Sequence, residues 1–130
     1  MKLTQLLIIG ASLLAIAAPP LAAAQETRGP YVRLAELEID PAQIESFKAA
    51  IKEGIDAAVR LEPGVLVLYA VSEKENPNLV RVFEVYTDEA AYKTHLETAH
   101  FKKFRNTTNQ MVKSRKLLDA DPIILGAKAR

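Results

Sequence analysis

The sequence predicts an α+β domain, a ferredoxin-like split βαβ unit built on a four-stranded antiparallel sheet. Three observations carry that reading. Segments of strand length are apolar or alternate with period two, and segments of helix length repeat every three to four residues. Proline, glycine and asparagine punctuate the joins. The two kinds of segment follow one another as β-α-β-β-α-β, with the second helix split.

Tyr31 to Ile39 reads as the first strand, with Val32, Leu34, Leu37 and Ile39 as apolar members. Asp40-Pro41 then starts a helix. Asp40 caps it, Pro41 suits its first position, and Gln43 stands where a capping box places its partner. Ile44, Phe47, Ile51, Ile55, Ala58 and Val59 carry the helical spacing to about Leu61, where Glu62-Pro63-Gly64 ends it. Val65 to Val71 is apolar throughout, as a strand buried on both faces would be.

Asn76-Pro77-Asn78 forms a hairpin loop into the strand Leu79 to Tyr86. One face of that strand carries Val80, Val82, Glu84 and Tyr86; the other carries Leu79, Arg81, Phe83 and Val85. Thr87 is expected to cap a short helix to about Glu97. A second helix runs from about Ala99 to Val112, with Phe101, Phe104, Thr108, Met111 and Val112 inward. A last strand covers Arg115 to Leu118, and Asp121-Pro122 interrupts before Ile123-Ile124-Leu125. Strands two and three are apolar on both faces, so a single layer of helices leaves one face bare. The cheapest cover is a second copy, which predicts a two-fold homodimer whose sheets stack into a barrel.

The chain has 130 residues, and residues 1–24 stand apart from the rest. Lys2 precedes a mostly apolar run from Leu6 to Ala18. Pro19-Pro20 breaks it, and Ala22-x-Ala24 offers a small-residue cleavage site before Gln25. This is the pattern of a secretory signal. A membrane-spanning helix needs about 18 or more apolar residues, and this run is shorter. The expectation is a signal peptide over 1–24, a single domain over 25–130, and a periplasmic or secreted bacterial protein.

Charge and composition exclude several classes. The chain has 17 Lys+Arg and 16 Asp+Glu; without Lys2, acids and bases balance. A nucleic-acid partner needs a clustered positive surface, which this balance does not supply. Cysteine is absent, which removes thiol nucleophiles, disulfides and Cys-ligated metals. No glycine-rich phosphate loop and no nucleophile elbow occur. The only histidines are His95 and His100; five apart on a continuous helix, they would point roughly 140° apart, which disfavours a metal site.

The residues suited to chemistry lie between Glu84 and Phe104. Glu84 and Tyr86 share a strand face, and Tyr92, His95 and Leu96 share a helix face. If that helix covers the sheet, a base, a carboxylate and two phenols meet in an apolar cavity, where a histidine can be poised for proton transfer. The same residues also fit plain structural roles. His95 fits a core edge, Glu84 fits an ion pair, Tyr86 and Tyr92 fit packing, and His100, just past the Thr98-Ala99 break, fits a contact with the turn.

This segment resembles the antibiotic biosynthesis monooxygenase family. The family pattern is Glu-x-Trp on a strand, an acidic helix start, an alanine, then His-Leu-x-Thr-Pro-His-Phe. Glu84, His95, Leu96, Thr98, His100 and Phe101 match it; Tyr86 stands for the tryptophan and Ala99 for the proline. Glu62-Pro63-Gly64 also matches the family's turn. The resemblance, over about Tyr31 to Gly126, implies a dimeric α/β-barrel and a cofactor-independent oxygenase that oxidises a small phenolic, quinol or anthrone-like aromatic with O2. It implies His95 as base or oxyanion partner, oriented by Glu84. It implies Tyr86 and Tyr92 as substrate contacts, with His100 counted beside them. Haem-degrading relatives carry a histidine where this chain has Arg105 and a tryptophan where it has His95, so haem is not expected. The alternative is a non-catalytic periplasmic binding or stress-related module of the same fold.

Overall fold

The computed structural model describes residues 29–129. The expected signal peptide and cleavage site lie outside them. Four strands and three helices follow in order: β1 (Tyr31–Ile39), α1 (Ile44–Leu61), β2 (Val65–Ser72), β3 (Leu79–Tyr86), α2 (Glu89–Glu97), α3 (Ala99–Thr108) and β4 (Val112–Ala120). They form one antiparallel sheet in the order β2-β3-β1-β4, the arrangement of the split βαβ unit. No described helix is long and apolar enough to cross a membrane.

The helices cover one face. Ala35, Leu37 and Ile39 of β1, with Val80 and Val82 of β3, pack on Phe47 and Ile51 of α1. A second cluster, Ala58, Val65, Leu68 and Tyr86, lies nearer the end of α1. Val65 and Leu68 can both face inward because the β2–β3 register shifts between Val65 and Val67. The other face carries Leu34, Phe83, Tyr69, Val71 and Leu118. In the single chain Tyr69 is 62% exposed and Val71 61%. So β2, read as buried on both faces, is buried on one within a single chain.

Local chemistry departs from the sequence reading in four places. Asp40 accepts from the Ala42 amide at 3.0 Å, as a cap should. Gln43, however, donates to the Asp40 carboxylate, because the Asp40 amide is already committed to Met111 O at 2.8 Å. Asp88, not Thr87, caps α2; its carboxylate accepts from the Ala91 amide at 2.7 Å, while the Thr87 amide bonds back to Gly64 O. Helix α3 stops at Thr108 rather than Val112, since the Met111 amide turns back to Thr108 O. And β4 runs from Val112 to Ala120, well past Arg115–Leu118, because it pairs with β1 from Ile39 to Val32. Pairing overrides a polar local sequence there.

Gly64 positions the helix layer against the sheet. A Cβ at Gly64 would lie 2.5 Å from Ala91 Cβ, so only glycine lets the start of α2 settle on the turn after α1. Gly54, inside α1, has room: a Cβ there would sit 3.5 Å from Phe104. Gly64→Ala is therefore expected to destabilise the protein by about 1–3 kcal/mol through overpacking, whereas Gly54→Ala stabilises it by about 0.5–1 kcal/mol through helix propensity. Denaturant unfolding of both variants checks the contrast; equal effects would refute it.

Candidate functional site

The turn Glu62-Pro63-Gly64 and the break between α2 and α3 meet over one end of the sheet. Thr98 makes the break. Its backbone is extended, its hydroxyl donates to His95 O at 2.8 Å, and its oxygen accepts from the Phe101 amide at 3.3 Å. The chain changes direction there, so His95 and His100 do not diverge as they would on one helix. Both rings converge on Glu62 Oε2, from His95 Nδ1 at 2.8 Å and from His100 Nε2 at 2.6 Å. All three side chains are largely withdrawn from solvent.

A carboxylate oxygen shared by two rings accepts from both, so His95 carries its proton on Nδ1. Its other nitrogen, Nε2, has no partner among the described residues, and no side-chain nitrogen or oxygen there is shut in without one. Nε2 therefore meets open space. The open space beside His95 is a cavity of about 160 Å³ between the sheet and the helices. Its walls are mostly apolar, with Leu96, Phe101 and Phe104 from the helices and Val82 from the sheet.

Polar groups reach the cavity from several elements, among them Arg33, Glu84 and Tyr92, with Arg105 and Thr108 of α3 and Arg115 of β4. Glu84 projects from β3 and accepts from the Tyr86 hydroxyl at 3.0 Å. Burial pushes the Glu84 carboxyl above the usual range, against the pull of the Tyr86 hydroxyl, His95 and Arg33. Burial, with Glu84 beside it, pushes the Tyr86 phenol far up as well. Arg33, paired with Glu84 across the β1–β3 ladder, donates to the Tyr92 hydroxyl and lies 4.4 Å from the Tyr92 ring centre. Its Nε is held by Asp119 at 3.0 Å. An aromatic cluster backs Tyr92 and His95: Tyr86 lies 5.4 Å from Tyr92 and 5.5 Å from His95.

Of the residues singled out in the sequence, His95, Glu84 and Tyr92 line this cavity. Tyr86 and His100 do not. Tyr86 is fully buried behind the lining residues Glu84, Tyr92 and His95, and His100 is turned to Glu62. The expectation that Glu84 orients His95 is corrected: Glu62 does so, since among the described residues it alone meets Nδ1. The argument against a metal site from helical spacing also fails, because the helix is broken at Thr98. Glu62, His95 and His100 bring three ligand atoms within 4.8 Å of one another.

Two residues escaped sequence reasoning. The sequence marks Glu62 only as part of a helix stop and of the family's turn, with no role in the site, and does not single out Arg33. Arg33 did leave a signal: it is the one charge on the face of β1 that otherwise carries Tyr31, Ala35, Leu37 and Ile39.

Comparison with known proteins places these features in a family. Residues 30–107 match the family described as antibiotic biosynthesis monooxygenase. A candidate antibiotic biosynthesis monooxygenase from Bacteroides thetaiotaomicron is 52% identical, with a TM-score of 0.75, over 78% of this chain and 97% of that one. A candidate monooxygenase from Lactobacillus acidophilus is 32% identical, with a TM-score of 0.68, over 69% of this chain and 43% of that one. A candidate antibiotic biosynthesis monooxygenase from Nitrosomonas europaea shares the fold at 23% identity and a TM-score of 0.69, over 72% of this chain and 99% of that one. No curated protein matches the chain. On the family match and the Bacteroides relative, the chain belongs to the antibiotic biosynthesis monooxygenase family.

Proposed function

We propose that the protein is a cofactor-independent monooxygenase that oxidises a single-ring phenol or hydroquinone with O2. One observation carries the reading: His95 is fixed through Nδ1 by Glu62, its Nε2 has no partner among the described residues, and the residue lines an apolar cavity. A histidine held on one nitrogen by a carboxylate and free on the other is built to take a proton. The size selects among aromatics. A cavity of about 150 Å³ lined by apolar side chains accepts benzene, so the 160 Å³ here suits one ring rather than the three of an anthrone.

The chemistry then follows from the side chains. His95 Nε2 takes the phenolic proton. The resulting anion is electron-rich at ring carbon, and O2 adds there. The O–O bond breaks; one oxygen stays on the ring and the other leaves as water. A hydroquinone gives up four electrons in becoming a hydroxyquinone, which is what full reduction of O2 needs, so no other reductant enters the balance. Arg33 and the Tyr92 hydroxyl supply positive charge and a polar contact beside the developing oxyanion. The apolar walls keep water from the intermediate.

The working unit in this reading is a homodimer. Its support is the apolar face bearing Leu34, Phe83, Tyr69, Val71 and Leu118, which the chain's own helices leave uncovered. Exposed patches of this kind mark association sites, and a second copy covers like with like. The leader pattern over residues 1–24 supports a periplasmic or secreted location.

Three measurements test these points. Oxygen uptake with a panel of hydroquinones is expected for the wild type, falling about 10²–10⁴-fold in His95→Ala and less in Glu62→Gln. Equal uptake by wild type and His95→Ala sinks the enzyme; ligand-induced thermal shifts without uptake would favour a binding module. Sedimentation at micromolar concentration is expected to give a dimer mass, and a monomer would refute that assignment. Glu84 tests the dryness of the cavity. Its raised carboxyl binds its proton more tightly folded than unfolded, so its contribution to stability is present below its unfolded value of about 4.3 and is lost as pH rises through the folded value. Glu84→Gln should therefore exceed the wild type in stability at pH 7, with the gap closing towards pH 4. A gap that does not change with pH would contradict it.

A further inference from the structure

Glu62, His95 and His100 do more than hold one another. We infer that they form a binding site for a divalent cation of the zinc or cobalt kind. The three donor atoms, Glu62 Oε2, His95 Nδ1 and His100 Nε2, all lie within 4.8 Å of one another. They come from the end of α1 and from either side of the break between α2 and α3, so the fold itself assembles them. The second oxygen, Glu62 Oε1, makes no hydrogen bond among the described residues and is free to join a coordination shell.

Distances favour the exchange. Ligands at the usual zinc bond lengths in a tetrahedron stand about 3.4 Å from one another. The present separations from Glu62 are 2.8 and 2.6 Å, so each ring needs to retreat by less than an ångström. The ion then takes the place of two hydrogen-bonded protons. Two imidazoles and one carboxylate suit borderline cations, whereas magnesium and calcium prefer all-oxygen shells. The fourth position opens at His100, the most accessible of the three at 18%, where a water can complete the shell.

The site lies behind the cavity, not within it. His95 belongs to both; Glu62 and His100 line only the cation side. A cation on Nδ1 leaves the neutral ring with its proton on Nε2, the nitrogen that acts as base in the proposed oxidation. His95 can then donate there but not accept. Occupancy therefore switches off the base, a consequence that rests on the proposed oxidation; the binding itself does not.

Calorimetry on tag-free protein with ZnCl2, and visible absorption with CoCl2, test the two claims separately. One cation per chain is expected, with absorption in the visible range typical of four-coordinate cobalt. His100→Ala and Glu62→Gln should each weaken zinc binding by more than about 100-fold, beyond what loss of a mere supporting contact costs, with circular dichroism confirming that both variants fold. No binding by the wild type, or equal binding by both folded variants, overturns the site. Zinc should also lower wild-type oxygen uptake while leaving His100→Ala at its own zinc-free rate. Zinc binding without any oxygen uptake would retain the cation site and count against the oxidation alone.

Discussion

One carboxylate oxygen organises the functional end of this protein. Glu62 Oε2 joins two rings from either side of a helix break to the turn that ends α1. Without it, the α2–α3 junction has Thr98 as its remaining anchor, and His95 has nothing to fix its tautomer. The arrangement also depends on what is missing from Gly64: a side chain there would push α2 off the turn and carry His95 away from Glu62. A buried charge shared by two donors is costly to leave unpaired, which is why the three residues act as one unit and not as separate contacts.

The cavity depends on a second buried charge. Arg33 sits on the helix-facing side of β1, where its neighbours are apolar. Its direct partners come from two other elements, Asp119 on β4 and the Tyr92 hydroxyl and ring on α2, while Glu84 stands opposite it on the β3 ladder and attracts it by charge without a direct bond. Taking a guanidinium out of water is tolerable only with such a set. Asp119 remains largely in solvent and contributes little by itself. The Tyr92 contacts hold the arginine in place, and they fix Tyr92 on the cavity wall.

Most of the fold was legible because its signals are local. The β1 segment, α1 and β3 announce themselves by period, cap and turn, and the structure places them where those signals lie. The β4 strand does not. Lys113-Ser114-Arg115-Lys116 has no strand pattern, and only the hydrogen-bonding edge of β1 makes it one. The site divides along the same line. Glu84, Tyr92 and His95 fall within twelve residues of one another and could be read together, whereas Glu62 is 33 positions from His95 and no spacing rule joins them. The break at Thr98 was visible in the sequence, but its effect on the two histidines was not, since the direction of the turned chain is set by packing on Glu62.

The order of the strands also bears on how the chain acquires its structure. The central strand β1 is made first and finds one of its two neighbours last: Tyr31 meets Asp119 across 88 positions. Until residues 112–120 emerge, one edge of the middle strand stays open. Long-range closure of this kind is slow, and the chain cannot complete its sheet piecemeal as it is synthesised. A nascent chain of this topology thus keeps an unpaired edge beside its middle strands until its final strand is available, and its stability arrives in one late step.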